Sequence, residues 1–146
     1  MSSQQTAKNA AELLCQQDPL IRIPTKKEKR NLLVAFAHKN KVIYGNAFDV
    51  IRLAKDIDLN DIAAVKNNLE HITLLEVKST NRENIDSSFT GYFFGLTTAE
   101  LLVAQNLGDK YRFVFVNTLT GQSLELKLNE IFAKARGIYP QWSISF

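Results

Sequence analysis

Residues that build disulfides and zinc sites are scarce in this chain. Its 146 residues include one cysteine, Cys15, and two histidines, His38 and His71. A single cysteine can form no disulfide within the chain, and no cysteine–histidine group has the spacing of a zinc site. These scarcities exclude a disulfide-stapled domain and a zinc-binding module.

Long apolar runs, targeting segments and common catalytic motifs are missing as well. No stretch approaches the roughly 20 apolar residues that cross a bilayer. The N-terminus, MSSQQTAKNA, lacks the charged and apolar blocks of a secretory signal. The sequence has no Walker A or G-x-G-x-x-G motif, which argues against an NTP-driven motor, and no Ser/His/Asp or Cys/His arrangement. We therefore expect a cytoplasmic protein without a membrane partner.

The composition is that of an ordinary globular protein. Hydrophobic residues make up 45% of the chain and aromatic residues 10%, more than a disordered segment contains. The length suits one core, and no repeat or linker interrupts it. We expect residues 1–146 to form a single domain.

Positive charge is concentrated near the N-terminal third, although the net charge is only +3. Seven cations stand against a single acid, Glu28, in the segment 22–41: Arg22, Lys26, Lys27, Lys29, Arg30, Lys39 and Lys41. Clustered cations can neutralise nucleic-acid phosphates, and a solvated helix face is the other interpretation. The predicted nucleic-acid contacts are Lys26, Lys27, Lys29 and Arg30.

Hydrophobic periodicity and capping signals predict alternating helices and strands. Thr25 and Thr97 each open a helix with a capping box, T-K-K-E and T-T-A-E. The predicted helices are 3–16, 25–40, 97–107 and 129–136, and the predicted strands are 41–45, 48–54, 71–80, 91–96, 111–117 and 123–128. We interpret 41–54 as a hairpin. This order predicts an α/β or α+β fold around one mixed sheet.

The segment DIDLNDIAAVKNNL has two interpretations. Asp58 could cap a short helix that contains Leu59 and Ile62, or DIAAVK could be a strand that turns at Asn67.

The most informative feature is the tripeptide Glu76-Val77-Lys78 at the end of an apolar strand. Strand alternation places Glu76 and Lys78 on one face. Charges at the end of a buried strand cost free energy unless a metal ion or a paired charge compensates them. A carboxylate can bind Mg²⁺ and a neighbouring ammonium can orient a water, which is what phosphodiester hydrolysis requires. The alternative interpretation is a simple salt bridge.

The setting of this tripeptide resembles the PD-(D/E)XK nuclease superfamily, which includes restriction endonucleases. E-V-K-S-T follows an apolar strand, an aspartate precedes it, and a helix and strand follow; the resemblance covers roughly residues 26–118. It implies a restriction-endonuclease-like central mixed sheet flanked by helices. It also implies Mg²⁺, with Mn²⁺ as a substitute, bound by Glu76 and the backbone carbonyl of Val77, with Lys78 as the catalytic lysine.

The resemblance also requires an upstream acid. Asp49, after a turn and before an apolar run, is the first choice for a catalytic metal ligand, and Asp61 is the rival. Asp49 is favoured because DLNDIAAVKNNL also has the pattern of a helix, in which Asp61 would face the helix dipole. Glu28 could join the metal site, although its capping box already explains it.

Taken together, these features predict a Mg²⁺-dependent DNA endonuclease that hydrolyses phosphodiester bonds of double-stranded DNA, with restriction-type cleavage as the first setting. Cleavage of Holliday junctions or damaged DNA is the next. A non-catalytic nucleic-acid-binding module and a structural protein are the alternatives. Because so small a chain has little room for both a site and a recognition surface, we expect a homodimer. The apolar segment 137–146 could pack on its own core or on a partner.

Overall fold

One mixed sheet of five strands, in the order β1-β2-β3-β4-β5, forms the centre of the computed structural model, which describes residues 3–146. Strands β3 and β4 are parallel, and the other neighbouring pairs are antiparallel. The strands are β1 (Ile21–Arg22), β2 (Val50–Leu53), β3 (Ile72–Thr80), β4 (Tyr111–Asn117) and β5 (Ser123–Leu126). The predicted mixed α/β architecture is confirmed.

Helices cover both faces of this sheet. They are α1 (Ser3–Gln17), α2 (Lys26–His38), α3 (Ile62–Asn67), α4 (Thr98–Leu107) and α5 (Leu128–Lys134). Both predicted capping boxes are present: Thr25 pairs with Glu28 at the start of α2, and Thr97 pairs with Glu100 at the start of α4. Each box satisfies backbone N–H groups that would otherwise lack partners in the first helical turn.

Strand β3 is buried on both faces, as its continuous apolar run predicts. Leu74 belongs to the larger core, which includes residues of α2, α3 and α4. Leu75 and Val77 belong to a smaller core with Leu14 of α1. Strand alternation therefore places Glu76 on the same face as Leu74, towards the larger core.

The predicted hairpin at residues 41–54 is wrong. Residues 41–44 form no strand, a 3₁₀ turn occupies Gly45–Ala47, and β2 pairs with β1 and β3 instead. The short strand β1 provides the competing partner, with Ile21 opposite Arg52. Since Ile43 is buried in the larger core, its apolar character reflects packing and not sheet pairing.

The strand alternative for DIAAVK is also wrong. Residues Ile62–Asn67 form α3, and its N-cap is Asp61, whose side chain accepts a hydrogen bond from the Ala63 N–H at 3.0 Å. Asp58 is not the cap but accepts a hydrogen bond from the Asn60 N–H in the preceding turn.

The predicted aromatic strand at 91–96 is wrong as well. Gly91 has a φ of +79°, which is incompatible with a continuous strand. The rings of Tyr92 and Phe94 stack at 5.6 Å between centroids, and Phe94 meets Phe115 of β4 edge to face at 4.8 Å. These aromatic residues thus extend the core over β4 instead of joining the sheet.

The segment 137–146 lies outside the core. Trp142 is 88% exposed, Ile144 is 80% exposed, and Tyr139 contacts the exposed ring of Phe93 at 6.5 Å between centroids. Of the two options left open by the sequence, packing on the domain's own core is wrong.

Within residues 3–146, no helix combines the length and apolar character needed to span a membrane.

Candidate functional site

Sheet register brings Asp49 beside Glu76. In the antiparallel pair β2–β3, Val50 lies opposite Leu75, so Asp49, one residue before β2, reaches the level of Glu76. The Asp49 N–H donates to the Leu75 carbonyl at 2.9 Å, and the Val77 N–H donates to Asp49 Oδ2 at 2.9 Å. The backbone of β3 therefore fixes the Asp49 carboxylate next to the E-V-K tripeptide.

Glu76 is a buried carboxyl group whose hydrogen-bonding capacity is not fully used by the described residues. It is 8% exposed, and among the described residues its Oε2 atom has no hydrogen-bond partner. Burial raises the pKa of Glu76 to about 9, and the charges of Asp49 and Glu100 add to the effect, while Lys78 opposes it. This side chain is therefore one that a bound cation would stabilise in its ionised form.

Lys78 lies between two carboxyl groups. Its Nζ is 2.8 Å from Glu100 Oε1 and 3.6 Å from Glu76 Oε1. Glu100 is itself buried, and its Oε1 also accepts from the Thr97 N–H at 3.2 Å. The capping box of α4 thus aims Glu100 at the catalytic lysine predicted from the sequence, a second role that the box alone does not reveal.

Lys29 points into this site and not to solvent. Its Nζ donates to the carbonyls of Gly45 and Phe48, both at 2.8 Å, and lies 4.6 Å from the centroid of the Phe48 ring. Burial lowers the pKa of Lys29, and the charges of Asp49 and Glu76 oppose that change. Lys29 therefore differs from the other predicted phosphate contacts, Lys26, Lys27 and Arg30, which are exposed.

Tyr111 is a member of the site that the sequence did not indicate. Its hydroxyl donates to the Ala47 carbonyl at 2.5 Å. Burial raises the pKa of Tyr111, and the charges of Glu76, Glu100 and Asp49 act in the same direction. Since Lys29 binds the carbonyls of Gly45 and Phe48, the segment that presents Asp49 is held at three carbonyls. Only the parallel register of β3 and β4 reveals this proximity.

Two acids weighed from the sequence lie outside the site. The Glu28 carboxylate accepts a hydrogen bond from the Thr25 N–H in the capping box and pairs with Arg22, whose Nη2 is 2.5 Å from Glu28 Oε2. Asp61 is exposed at the start of α3. The structure thus brings together Asp49, Glu76 and Lys78 and separates them from both alternatives.

The oxygen donors of the site suit a hard divalent cation. Within the described side chains, no three histidine, cysteine, aspartate or glutamate residues gather as a metal-binding group. Mg²⁺ does not need such a cage, because it commonly takes one or two protein carboxylates and completes its shell with waters and substrate phosphates. Asp49, together with the unpartnered Oε2 of Glu76, fits that donor set.

Most of the chain matches the model of a known protein family. The model described as "Protein NO VEIN, C-terminal" matches residues 27–129. The chain belongs to this family. No curated protein and no solved structure matches the chain.

The region shared with the NO VEIN C-terminal family contains the whole site. The match begins within α2, so it includes Lys29, and it runs through β2, β3, α4 and β4. Helix α1, strand β1 and the exposed segment 137–146 lie outside it. The charged cluster around Glu76 is thus carried by the family domain and not by the flanking segments.

Replacement of Asp61 by alanine is expected to affect stability alone. Loss of the α3 N-cap should lower the free energy of unfolding by about 1 kcal/mol, while any Mg²⁺-induced rise in melting temperature stays as in wild type. Urea denaturation with and without MgCl₂ measures both. Asp56→Ala, at an exposed residue six positions before α3, is the matched control. An Asp61 variant that loses its response to Mg²⁺ contradicts the assignment of Asp49.

Proposed function

We propose that this chain is a Mg²⁺-dependent endodeoxyribonuclease that hydrolyses phosphodiester bonds in double-stranded DNA. The observation that carries the proposal is the group formed by Asp49, Glu76 and Lys78, in which a buried carboxylate oxygen has no partner within the part of the chain that the structure describes. A buried acid of this kind is costly to stability and typical of functional sites. The placement of Asp49 just before β2, and of Glu76 and Lys78 on the neighbouring strand β3, is also typical of the PD-(D/E)XK superfamily, to which we propose the domain is related.

The residues have distinct proposed roles. Asp49 and Glu76 would hold Mg²⁺ or Mn²⁺, with the Val77 carbonyl as a further oxygen donor. When bound, the ion supplies positive charge beside the scissile phosphate and lowers the pKa of a water molecule. Lys78, whose Nζ lies 2.8 Å from Glu100 Oε1, would orient that water and stabilise the charge that develops on the phosphate oxygens.

The remaining residues of the site would act by positioning. Lys29 and Tyr111 hold carbonyls of the segment Gly45–Phe48, which directly precedes Asp49. Their contacts limit the movement of the Asp49 carboxylate, which a metal site requires to within about half an ångström. Lys29 also places a second positive charge near Asp49 and Glu76.

DNA would approach along the start of α2. Lys26, Lys27 and Arg30 are exposed there, on the same helix whose Lys29 reaches the site. Contacts from such cations to phosphates position a duplex without reading its sequence. We propose a homodimer in which each subunit cuts one strand, with restriction-type cleavage as the first setting and repair of branched DNA as the next.

A non-catalytic nucleic-acid-binding module is the second candidate. The observation that favours it is the close ion pair of Lys78 with Glu100, which alone could satisfy the charge of the lysine. In that case Glu76, Lys78 and Glu100 would serve stability, and the exposed cations of α2 would bind DNA without cutting it.

A plasmid-cleavage assay separates these candidates. Supercoiled DNA is incubated with the protein in MgCl₂, MnCl₂, CaCl₂ or EDTA, and nicked and linear products are separated on a gel. The nuclease proposal predicts products with Mg²⁺ or Mn²⁺ and none with EDTA. DNA that is bound in a salt-dependent manner but never cut with any of the ions supports the second candidate, and cutting that persists in EDTA refutes a metal-dependent mechanism.

A further inference from the structure

A cavity of about 390 Å³ lies beyond the C-terminal end of α2. Four lysines from different parts of the chain line it, over a floor that includes Phe36 and Leu107: Lys39, Lys41, Lys66 and Lys110. We call this cavity the lysine pocket. At about 1.5 Å per helical residue, Lys39 lies about 15 Å along α2 from Lys29, so the lysine pocket is separate from the acidic site.

Two of these lysines are held in place by backbone carbonyls. Lys41 Nζ donates to the Asn106 carbonyl at 3.2 Å, and Lys110 Nζ donates to the Glu70 carbonyl. Asn106 belongs to the last turn of α4, where exposed carbonyls favour a cation. These two contacts fix where the charges of Lys41 and Lys110 lie.

The other two lysines also lie at helix ends, Lys39 as the C-cap of α2 and Lys66 in the last turn of α3. Within residues 4–146, Lys39 and Lys66 form no ion pair and no side-chain hydrogen bond with the rest of the chain. The one acid that lines the pocket, Glu70, has its carboxylate 3.4 Å from the His71 ring. The pocket therefore gathers four cations with little compensating negative charge, an arrangement that attracts an anion.

We propose that the lysine pocket binds adjacent phosphate groups, either those of a nucleotide or free polyphosphate or those of a nucleic-acid backbone. Ammonium groups bind phosphate oxygens as point charges, so they need no planar, bidentate match. The cavity volume is near the lower end of the range of about 300–1,000 Å³ for small-molecule sites, so a group of two or three phosphates fits it better than a large ligand.

Pyrophosphate binding in EDTA tests the pocket without any cleavage. The double variant Lys39→Ala/Lys66→Ala should bind pyrophosphate about tenfold more weakly than wild type, because it loses two ion pairs. In ¹⁵N-resolved NMR spectra of the wild type, pyrophosphate should shift amide signals of residues 39–41, 66–70 and 110. The matched control is Lys8→Ala/Lys55→Ala, which removes two exposed lysines elsewhere and should change the affinity less than twofold.

A DNA-binding measurement distinguishes a nucleic-acid backbone from a nucleotide or free polyphosphate as the source of the phosphates. With a DNA duplex in EDTA, loss of the backbone contacts should lower the slope of log affinity against log salt by about 1 per lysine removed. A lower slope in the pocket variant but not in the control supports the nucleic-acid backbone as the ligand. Weaker pyrophosphate binding with unchanged DNA binding supports a nucleotide or polyphosphate.

Two outcomes overturn the proposal. One is the absence of pyrophosphate binding by the wild type, and the other is an equal loss of affinity in the pocket variant and in the control, which would indicate only general electrostatic attraction. Neither outcome depends on Asp49, Glu76 or Lys78. Failure of the lysine pocket and failure of the nuclease proposal are therefore distinguishable.

Discussion

Replacing Lys78 with glutamine is expected to lower the rate of Mg²⁺-dependent DNA cleavage by about 100- to 1,000-fold, the loss that follows removal of one donor to developing charge. Lys78 is the cation next to both carboxyl groups of the site, at 2.8 Å from Glu100 and 3.6 Å from Glu76. Without it, neither the attacking water nor the phosphate oxygens would have a fixed ammonium donor. The initial rate of plasmid nicking measures the effect.

This variant also removes the ion-pair partner of Glu100, which is 4% exposed. Leaving a buried charge unpaired can cost about 3–5 kcal/mol, so the loss of activity has to be separated from unfolding. The double variant Lys78→Met/Glu100→Gln removes both charges and should keep more of the stability while remaining inactive. Lys55→Ala, at an exposed position, should cut DNA at the wild-type rate. A folded double variant that still cuts DNA at that rate would refute the role of Lys78.

The second large effect concerns stability. Glu76→Gln is expected to make the metal-free protein more stable by about 2–5 kcal/mol near pH 8, because the wild-type carboxyl must take up a proton when it is buried at that pH and glutamine needs none. Glutamine mimics the protonated carboxyl and carries no charge into the core. The variant should be inactive in cleavage but should melt at a higher temperature than the wild type in EDTA.

The raised pKa of Glu76 determines how the stability difference between Glu76→Gln and the wild type changes with pH. The pKa of Glu76 is about 9 in the folded protein, against an ordinary value of 4.5. The folded state therefore holds its proton more tightly than the unfolded state does, so this contribution to wild-type stability is full below about pH 4.5 and is lost as the pH rises towards 9. The difference between Glu76→Gln and wild type should accordingly grow from about pH 5 to about pH 8.

Mg²⁺ should reduce the difference in stability between Glu76→Gln and the wild type by stabilising the wild type. An ion that binds the folded state stabilises it by mass action, so MgCl₂ should raise the melting temperature of the wild type and leave Glu76→Gln nearly unchanged. Thermal unfolding across the pH range, with EDTA or MgCl₂, records both effects. Glu83→Gln, at an exposed acid, serves as the control. A wild-type stability that increases with pH over this range would contradict the burial of an uncompensated Glu76.

Local signals in the sequence predicted much of the fold. The capping boxes at Thr25 and Thr97 depend on residues three apart, and both helices begin where the boxes place them. The apolar run of β3 and the alternation of β4 also predicted their strands, which the structure places at Ile72–Thr80 and Tyr111–Asn117. Such signals are reliable because the interactions behind them form between residues close in sequence.

Pairing between distant segments was less predictable. The hairpin expected at 41–54 fails because β2 instead pairs with β1, a strand of two residues between prolines that carries no visible strand pattern. The helical pattern of DLNDIAAVKNNL was local enough to predict α3, which Asp61 caps. The contact of Asp49 with the backbone of β3 depends on strand pairing, and its role as a metal ligand stays a prediction.

The sequence by itself determined the elements and the E-V-K tripeptide, because periodicity, capping and strand alternation act over a few residues. Only the tertiary structure decided which groups surround Glu76. Glu100, Lys29 and Tyr111 come from α4, α2 and β4, and their meeting depends on sheet register and helix packing. The electrostatics of a buried carboxyl is the sum of charges contributed by all of these elements, so its raised pKa appears only once the chain is folded.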